Sequence, residues 1–330
     1  MRSIDTSIKT DLFLGYECNN NCLFCYVADR KKKQPEKTAS QAKKDLDKAR
    51  EKGSDQLHFV GGEPTIRDDI LDLVSYAKKL GYKKISVTTN GRMFCYENFT
   101  KKMISAGLNN VIISVHGPNS KIHDELTQSK GSFDQIMKGI DNLKGTGVFL
   151  EANVCITKIN YKFLPEIAKL LINHGFNSCE FMMVHPRGNA GKNYDAIVPQ
   201  MSEIVDYLHE AIRLSIGIKT EILARYVPFC FLGKYKKYTT ELFESFENLH
   251  IAPDYVEKDA WASRRDRATI KSETCRTCRF DNICLGAHRE HTGVERLYKP
   301  IPGKKYASRE EFLIEQGEKN SVRRCKKKKE

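Results

Sequence analysis

Three cysteines stand in one short loop, ECNNNCLFC (residues 17–25), which follows directly on the apolar run Leu12–Tyr16. Thiolates spaced this closely can hold three irons of a 4Fe–4S cubane and leave the fourth iron open. The asparagines between them tolerate the tight turns that such wrapping requires. Zinc also binds thiolates, with His116, His123 or water as a further ligand, so the spacing alone leaves both metals open.

From about Asp11 to Val184, short apolar runs alternate with amphipathic helical stretches. The predicted strands are Leu12–Tyr16, Leu57–Val60, Ile85–Thr89, Val111–Val115, Phe149–Ile156 and Cys179–Val184. The predicted helices are Ala39–Lys52, Asp69–Leu80, Tyr96–Ala106, Phe133–Lys144, Phe163–His174 and Met201–Ser215. Runs of this kind suit strands buried on both faces of a parallel sheet, either open or curled toward a barrel. Ligands then collect at the carboxyl ends of the strands, where the cysteines stand.

The cysteine loop resembles the cluster motif of the radical S-adenosylmethionine (radical SAM) superfamily. Its cysteines are separated by three and then two residues, and an aromatic residue precedes the last. GGEP (residues 61–64), after the second strand, is similar to the superfamily segment that takes the methionyl amino group. Glycines allow close approach of the backbone there, and a carboxylate accepts from an ammonium. SVTTNG (residues 86–91), after the third strand, is similar to the superfamily's TNG turn.

The resemblance implies a partial (β/α)6 TIM-type barrel whose cluster, held by Cys18, Cys22 and Cys25, binds SAM. It also implies reductive cleavage of SAM to a 5′-deoxyadenosyl radical, fed by an electron donor such as ferredoxin or flavodoxin. The SAM contacts it implies are Phe24, Gly61, Gly62, Glu63, Pro64, Thr88, Asn90, Ser114, His116 and Asn153. Among them, Phe24 offers its backbone to the adenine, and His116 lines the cavity. Ser114 and Asn153 reach the ribose or carboxylate, or are satisfied polar groups at strand ends.

A second cysteine group lies near the C-terminus, with Cys275, Cys278 and Cys284 downstream of Cys230. Four thiolates make a closed site for either zinc or a 4Fe–4S cluster. The spacing resembles the SPASM and Twitch extensions of radical SAM enzymes, although His288 stands where the SPASM pattern has a further cysteine. The resemblance therefore implies one auxiliary 4Fe–4S cluster on these four cysteines. Cys325 is an outside candidate.

We divide the chain into a radical SAM core, residues 1–198, and a small cysteine-rich extension, residues 199–330, that ends in a basic tail. No apolar run is long enough for a transmembrane helix, and no secretion signal precedes the first strand, so we expect a cytoplasmic protein without disulfides. The net charge of +13 favours a negative partner. Much of the excess lies in residues 30–33 and 323–329, however, and such runs are usually solvated.

Enzymes with SPASM-like extensions often modify peptides or proteins, so an acidic peptide is the expected substrate, and the reaction a net oxidation or crosslink. No peptide-recognition domain precedes the first strand, which weakens the peptide interpretation unless a separate partner recognises the leader. The alternative substrate is a small molecule, carbohydrate or cofactor precursor. RNA modification ranks third because no aromatic and basic stacking motif is present. The non-enzymatic alternative is a zinc or electron-transfer protein.

Overall fold

A computed structural model describes residues 4–31, 33–245 and 247–318 of the chain. Cys325 and the basic run at 323–329 lie outside the described residues, as does Lys32 of the first basic run. Nine strands of the described residues form the main sheet. They are β1 Lys9–Phe13, β2 Gln56–Val60, β3 Lys84–Thr89, β4 Asn110–Ser114, β5 Phe149–Ile156, β6 Ser178–Met183, β7 Glu221–Arg225, β8 Asn248–Ile251 and β9 Val256–Glu257.

The order of these strands is β7-β6-β5-β4-β3-β2-β1-β8-β9. Every neighbouring pair from β7 to β8 is parallel, and only β9 runs antiparallel to its neighbour. This is the parallel α/β sheet that the alternating pattern predicts, in the partial-barrel form that the family resemblance implies. The parallel arrangement brings the loops after β1, β2, β3 and β6 to one edge of the sheet, where the cysteine loop lies.

The described residues form eleven α-helices. They are α1 Ala39–Glu51, α2 Ile70–Lys79, α3 Glu97–Ala106, α4 Ser120–Thr127, α5 Ser132–Leu143, α6 Leu164–Asn173, α7 Asn189–Lys192, α8 Tyr194–Ile197, α9 Met201–Leu214, α10 Ala260–Ser263 and α11 Arg309–Glu315. Leu57 and Phe59 of β2 are fully buried in the core between sheet and helices. His58 between them points to the opposite, inner face because side chains alternate along a strand. The inner face is polar.

The first strand begins and ends three residues before the predicted run Leu12–Tyr16. The apolar residues that suggested a later strand leave the sheet after Phe13, although Leu14 still donates its N–H to Val60 O at 3.1 Å. From Gly15 onward the chain bonds to the loop after β2. The strand therefore ends where the cysteine loop must turn.

The main sheet continues beyond residue 198. β7 pairs with β6, and β8 pairs with β1 on the other side of the sheet. The division at residues 198 and 199 stays a prediction, and the sheet itself spans it. The rest of the extension contains the short antiparallel pair β10 Thr269–Ile270 and β11 Ala287–His288. Among the described residues, no helix has the length and apolar character needed to cross a bilayer.

Candidate functional site

The cysteine loop, residues 17–25, is held from several sides by hydrogen bonds to its backbone. Asn21 and Leu23 donate their N–H groups to Thr127 O and Leu126 O at the end of α4, at 3.1 and 2.9 Å. On the opposite side, Asn189 donates its N–H to Cys25 O and its side-chain amide to Cys22 O, both at 2.9 Å. The loop is therefore fixed between α4 and the segment after β6.

The glycines after β2 lie directly against the start of this loop. Gly62 donates its N–H to Gly15 O at 2.9 Å, and Glu63 donates to Glu17 O at 2.7 Å. A Cβ on Gly62 would stand 2.0 Å from Glu17 O, and one on Gly61 would stand 2.3 Å from Gly15 O. Gly61 also has a φ of 141°, which favours glycine. Close approach is thus required here, and the approaching group is the chain's own backbone.

Glu63 is buried, and hydrogen bonds hold its carboxylate. Oε1 accepts from Thr65 N at 3.0 Å, from Thr65 Oγ1 at 2.5 Å and from Thr89 Oγ1 at 2.8 Å. Oε2 accepts the N–H of Asn90 at 2.5 Å. Burial raises the pKa of Glu63, although these bonds act in the opposite direction. The carboxylate therefore joins the GGEP segment to the turn after β3.

Asn90 and Arg92 extend that connection to the cysteine loop. The amide of Asn90 donates to Asn19 Oδ1 at 2.6 Å and lies 3.9 Å from Cys18 Sγ. Arg92 donates to Asn19 O at 2.7 Å and to Asn20 Oδ1 at 2.9 Å. The TNG turn, residues 89–91, thus contacts the loop through side chains on both sides of its glycine.

The remaining predicted SAM contacts lie on neighbouring strands at the same edge. Ser114 and Asn153 are register partners on β4 and β5. His116 is buried, its ring lies edge-on to Phe24 with centroids 4.5 Å apart, and its Nδ1 accepts the N–H of Cys155 at 3.2 Å. Burial, with His123 adding to it, holds the pKa of His116 well below its usual range. His116 is therefore neutral and lines the space beside Phe24.

Pro64 and Thr88 have structural partners. Pro64 begins a short 3-10 helix, Pro64–Ile66, that turns the chain away from the GGEP segment. Thr88 Oγ1 bonds to His58 Nε2 at 2.7 Å, and His58 Nδ1 bonds to Asp11 Oδ1 at 2.8 Å. Thr88 therefore belongs to a polar chain on the inner face of the sheet, and its contact with SAM stays a prediction.

The cysteines of the loop are half-buried, and the pKa values of their thiols are raised. Burial, followed by the nearby Glu63 carboxylate, raises the pKa of Cys18 to about 11. Burial and the neighbouring thiols also raise the pKa of Cys22, and burial raises that of Cys25. Metal or cluster binding must displace these protons.

The spacing of the sulfur atoms favours a cluster over a single ion. Thiolates around one tetrahedral zinc lie about 3.8 Å apart, given Zn–S distances of about 2.3 Å. Among the described residues, no three cysteine sulfurs lie within 4.8 Å of one another. A cubane separates its cysteines because each thiolate binds a different iron. The zinc alternative, open on sequence spacing alone, therefore fits this geometry less well.

The second cysteine group comes together as the sequence predicts. Cys230, Cys275, Cys278 and Cys284 line one pocket, which we call the auxiliary pocket. Gly286 donates its N–H to Cys284 Sγ at 3.4 Å, and Ile301 donates to Cys278 Sγ at 3.3 Å. Burial raises the pKa of Cys284 to about 12. His288 is absent from the lining of this pocket and lies elsewhere.

Comparison with known proteins places these features in a family. The family model described as the radical SAM superfamily matches residues 12–171. The chain contains a radical SAM domain. Such a domain implies a 4Fe–4S cluster and SAM as cofactors, and the extra cysteines fit an auxiliary cluster. The matched residues include the cysteine loop, the GGEP segment and the TNG turn.

Curated relatives share the radical SAM domain at modest identity. The AdoMet-dependent heme synthase of Oleidesulfovibrio alaskensis is 31% identical over 176 residues, which are 53% of this chain and 45% of that protein. The mycofactocin maturase MftC of Mycolicibacterium smegmatis is 29% identical over 212 residues, 63% of this chain and 53% of that protein. The chain thus spans about half the length of these relatives.

Solved structures resemble the fold over nearly the whole chain, beyond the radical SAM domain. One is anSMEcpe with bound AdoMet, with a TM-score of 0.63, 14% identity, and coverage of 93% of this chain and 96% of that chain. Another is Streptococcus suis SuiB bound to the precursor peptide SuiA, with a TM-score of 0.61, 16% identity, and coverage of 93% and 76%. At these identities the likeness concerns the fold.

Sequence reasoning missed several residues that hold the radical SAM cysteine loop. Gly188 and Asn189 follow β6, and a Cβ on Gly188 would stand 2.3 Å from Cys25 O. Lys31 donates to Cys18 O at 2.7 Å. Because these contacts are made to backbone carbonyls, which every residue has, no residue pattern in the loop predicts them. Cys155, predicted only to pack in the core, is buried in a group that also contains Phe24 and Leu23.

Proposed function

We propose that this chain is a radical SAM enzyme that modifies a peptide or protein by a net oxidation or crosslink. The observation that carries the proposal is the cysteine loop held by the GGEP segment, the TNG turn and Asn189. Three cysteines in such a loop leave one iron without a protein ligand. SAM would bind at that open position. A structural zinc site or a simple electron carrier has all its metal positions filled by protein ligands and would not require it.

With cluster and SAM bound, one electron cleaves a sulfur–carbon bond of SAM and yields methionine and a 5′-deoxyadenosyl radical, which takes hydrogen from the substrate. The residues of the chain keep this chemistry in place. The cysteines hold the cluster, and Asn90 and Arg92 fix the loop that carries them. Phe24 and the neutral His116 give the space beside the loop an apolar and water-poor wall.

The auxiliary pocket supports the net oxidation. Four protein thiolates would leave no iron of an auxiliary 4Fe–4S cluster open, so the role that suits it is electron transfer rather than substrate binding. Held by Cys230, Cys275, Cys278 and Cys284, such a cluster would accept one electron from the substrate radical, which would lose a proton to solvent. A ferredoxin or flavodoxin supplies the electron for the first step. A cytoplasmic location would keep the ligand thiols reduced.

Peptide modification is preferred because of what the relatives and structural neighbours are named for. MftC is a maturase, SuiB binds the precursor peptide SuiA, and anSMEcpe binds a Kp18Cys peptide together with AdoMet. The basic surplus of the chain suits an acidic peptide. A small-molecule substrate is the second candidate, since a heme synthase and probable GTP 3′,8-cyclases are also relatives.

The first test is anaerobic reconstitution with iron and sulfide, followed by SAM and dithionite and detection of 5′-deoxyadenosine by mass spectrometry. Wild type should form it, and Cys22→Ala should not. Cys95→Ala is the matched control, because Cys95 is buried beside α3, away from both cysteine groups. No 5′-deoxyadenosine from iron-loaded wild type would favour an electron-transfer protein.

The substrate class needs a separate experiment. Acidic peptides, tetrapyrrole precursors and nucleotides would each be added to the reconstituted enzyme with SAM. A peptide substrate should raise 5′-deoxyadenosine above the substrate-free level and lose hydrogen by mass. A rise confined to tetrapyrroles or nucleotides would transfer the proposal to the small-molecule alternative.

A further inference from the structure

Two histidines and a glutamate form a partly buried group between the end of β6 and the extension. We call it the His185 group, and it consists of His185, His288 and Glu290. One ligand atom from each residue lies within 4.8 Å of the other two. His288 is 3% exposed, while the side chains of His185 and Glu290 are 22% and 24% exposed. The group is distinct from both cysteine sites.

The polar atoms of this group are buried without hydrogen-bond partners in the described part of the chain. They are both ring nitrogens of His288 together with His185 Nε2 and Glu290 Oε2, and the last two face each other as an ion pair at 3.5 Å. The Ala268 carbonyl is close enough to act on the charge of His288 but does not meet hydrogen-bond geometry. A buried polar atom without a hydrogen bond destabilises the folded state. A buried histidine with neither ring nitrogen hydrogen-bonded, beside a histidine and a carboxylate in contact, indicates a ligand that satisfies them.

The arrangement suits a metal ion. His185 Nε2 and Glu290 Oε2 are 3.5 Å apart. Two such ligands on one tetrahedral ion lie about 3.4 Å apart, since each is about 2.1 Å from the metal. The rings of His185 and His288 are stacked 3.9 Å apart at 6°, so their nitrogens project side by side. Because the in-plane lone pairs of stacked rings run parallel, the imidazoles would rotate out of the stack to direct their nitrogens at one ion.

The surroundings support the ligands. Arg187 donates from Nε to Glu290 Oε1 at 2.7 Å, which leaves Oε2 directed at the histidines. Tyr26, next to Cys25, stacks on His185 with centroids 6.0 Å apart. Tyr226 packs on His288 at 4.4 Å. Partners of this kind orient metal ligands and limit the access of solvent.

We propose that His185, His288 and Glu290 bind one divalent transition-metal ion, such as Zn²⁺ or Fe²⁺. Imidazole and carboxylate ligands suit this class of ion. Three protein ligands leave coordination positions for water or for a donor atom of the substrate. The ion lies on the loop after β6 whose Gly188 and Asn189 hold the cysteine loop, so it is placed beside the reaction site. It also joins this loop to the extension.

Zinc binding by the protein with both cysteine sites loaded tests the proposal. Zn²⁺ is titrated anaerobically, and retained zinc and iron are counted by mass spectrometry after desalting. Wild type should keep one zinc per chain, and Glu290→Gln and His185→Gln should bind it at least about tenfold more weakly, at unchanged iron content. His174→Gln is the matched control, because its side chain has a similar exposure of 23% and lies outside the group.

X-ray absorption at the zinc edge identifies the ligands. The proposal requires nitrogen and oxygen neighbours, whereas sulfur at about 2.3 Å would place the zinc at a cysteine site and overturn it. Iron-loaded wild type that retains no zinc would overturn it as well, as would variants that retain zinc as tightly as wild type. None of these readouts depends on SAM cleavage, so the proposal can fail independently of the proposed function.

Discussion

Glu63 accepts the backbone N–H of Asn90 at 2.5 Å, and Asn90 in turn donates its side-chain amide to the cysteine loop. A carboxylate from the loop after β2 thus sets the position of a residue that touches the loop after β1. Because Glu63 is buried and bonded on both oxygens, it acts on the cysteine loop even before any ligand binds.

Glu63→Ala should destabilise the protein and reduce the iron content of the cluster site on Cys18, Cys22 and Cys25, which we call the first site. The change leaves buried donors of Thr65, Thr89 and Asn90 without an acceptor, and hydrogen bonds to charged groups contribute about 1.5–3 kcal/mol each. We expect a loss of about 2–4 kcal/mol in the free energy of unfolding, because the site relaxes in part. Anaerobic denaturation followed by circular dichroism measures it.

Glu63→Gln is the control for this change, since it keeps an oxygen acceptor and the side-chain volume. It should retain more stability and more iron than Glu63→Ala. Equal behaviour of the two variants would show that the hydrogen bonds do not position the loop.

Gly62→Ala should displace the cysteine loop through a steric contact. The new Cβ would stand 2.0 Å from Glu17 O, a distance that no side-chain adjustment relieves because the neighbour is backbone. We expect iron at the first site to fall while the auxiliary pocket keeps its own. Iron and sulfide analysis together with electron paramagnetic resonance of the reduced protein would separate the two.

Gly145→Ala tests whether alanine at a glycine position is itself harmful. Its Cβ meets nothing within 4 Å, although its φ of 72° adds strain of about 1 kcal/mol. Full iron loading in Gly62→Ala, as in this control, would contradict the close approach seen between residues 62 and 17.

The sequence predicted most of the sheet because burial leaves a periodic pattern. Strand β5 was predicted with its observed bounds, and the six predicted helices agree with α1, α2, α3, α5, α6 and α9 to within one residue at each end. β7 and β8 are absent from the predicted strands because polar or charged residues interrupt their few apolar ones, as in Glu221–Arg225 and Asn248–Ile251. A pattern of that kind gives no clear period.

The candidate sites also combine features that a local sequence pattern predicts with contacts that it does not. Cysteines that bind one metal site often stand close in sequence. The spacing of Cys275, Cys278 and Cys284 therefore indicates a shared site, and all three line the auxiliary pocket. The side chain of Asn189 donates to the backbone oxygen of Cys22, 167 positions away in the sequence. His185, in the loop after β6, stacks on His288 of β11. Contacts of this kind depend on the tertiary fold and leave no local pattern to read.

Cys278→Ala should separate SAM cleavage from product formation. The residue lines the auxiliary pocket, far along the chain from the cysteine loop, so 5′-deoxyadenosine should still form at a rate within about twofold of wild type while oxidised product is lost. A twofold change corresponds to about 0.4 kcal/mol. Normal product formation by this variant would make the auxiliary site structural.

Glu244→Gln should weaken the junction between the sheet and the extension. Glu244 accepts from Arg225 of β7 at 2.9 Å and from Arg264 at 2.8 Å, and the pKa of Glu244 is lowered because the two arginines outweigh the effect of burial. Removing one charge from a buried pair costs about 3–5 kcal/mol. We expect a loss near the lower limit, about 3 kcal/mol at pH 7, because Arg225 keeps Glu180 as a partner.

The pH dependence of that loss shows whether charge is responsible. A carboxyl with a lowered pKa contributes stability above its unfolded value, near 4.5, and loses it as the pH falls through the folded value. The difference between wild type and Glu244→Gln should therefore be largest at pH 7 and narrow below about pH 4.5. Asp266→Asn is the control, because Asp266 forms an exposed ion pair with Arg265. It should leave the unfolding midpoint unchanged at pH 7 and at pH 4. A difference that stays constant from pH 7 to pH 4 would instead assign the effect of Glu244 to hydrogen-bond geometry, since protonation would then leave it intact.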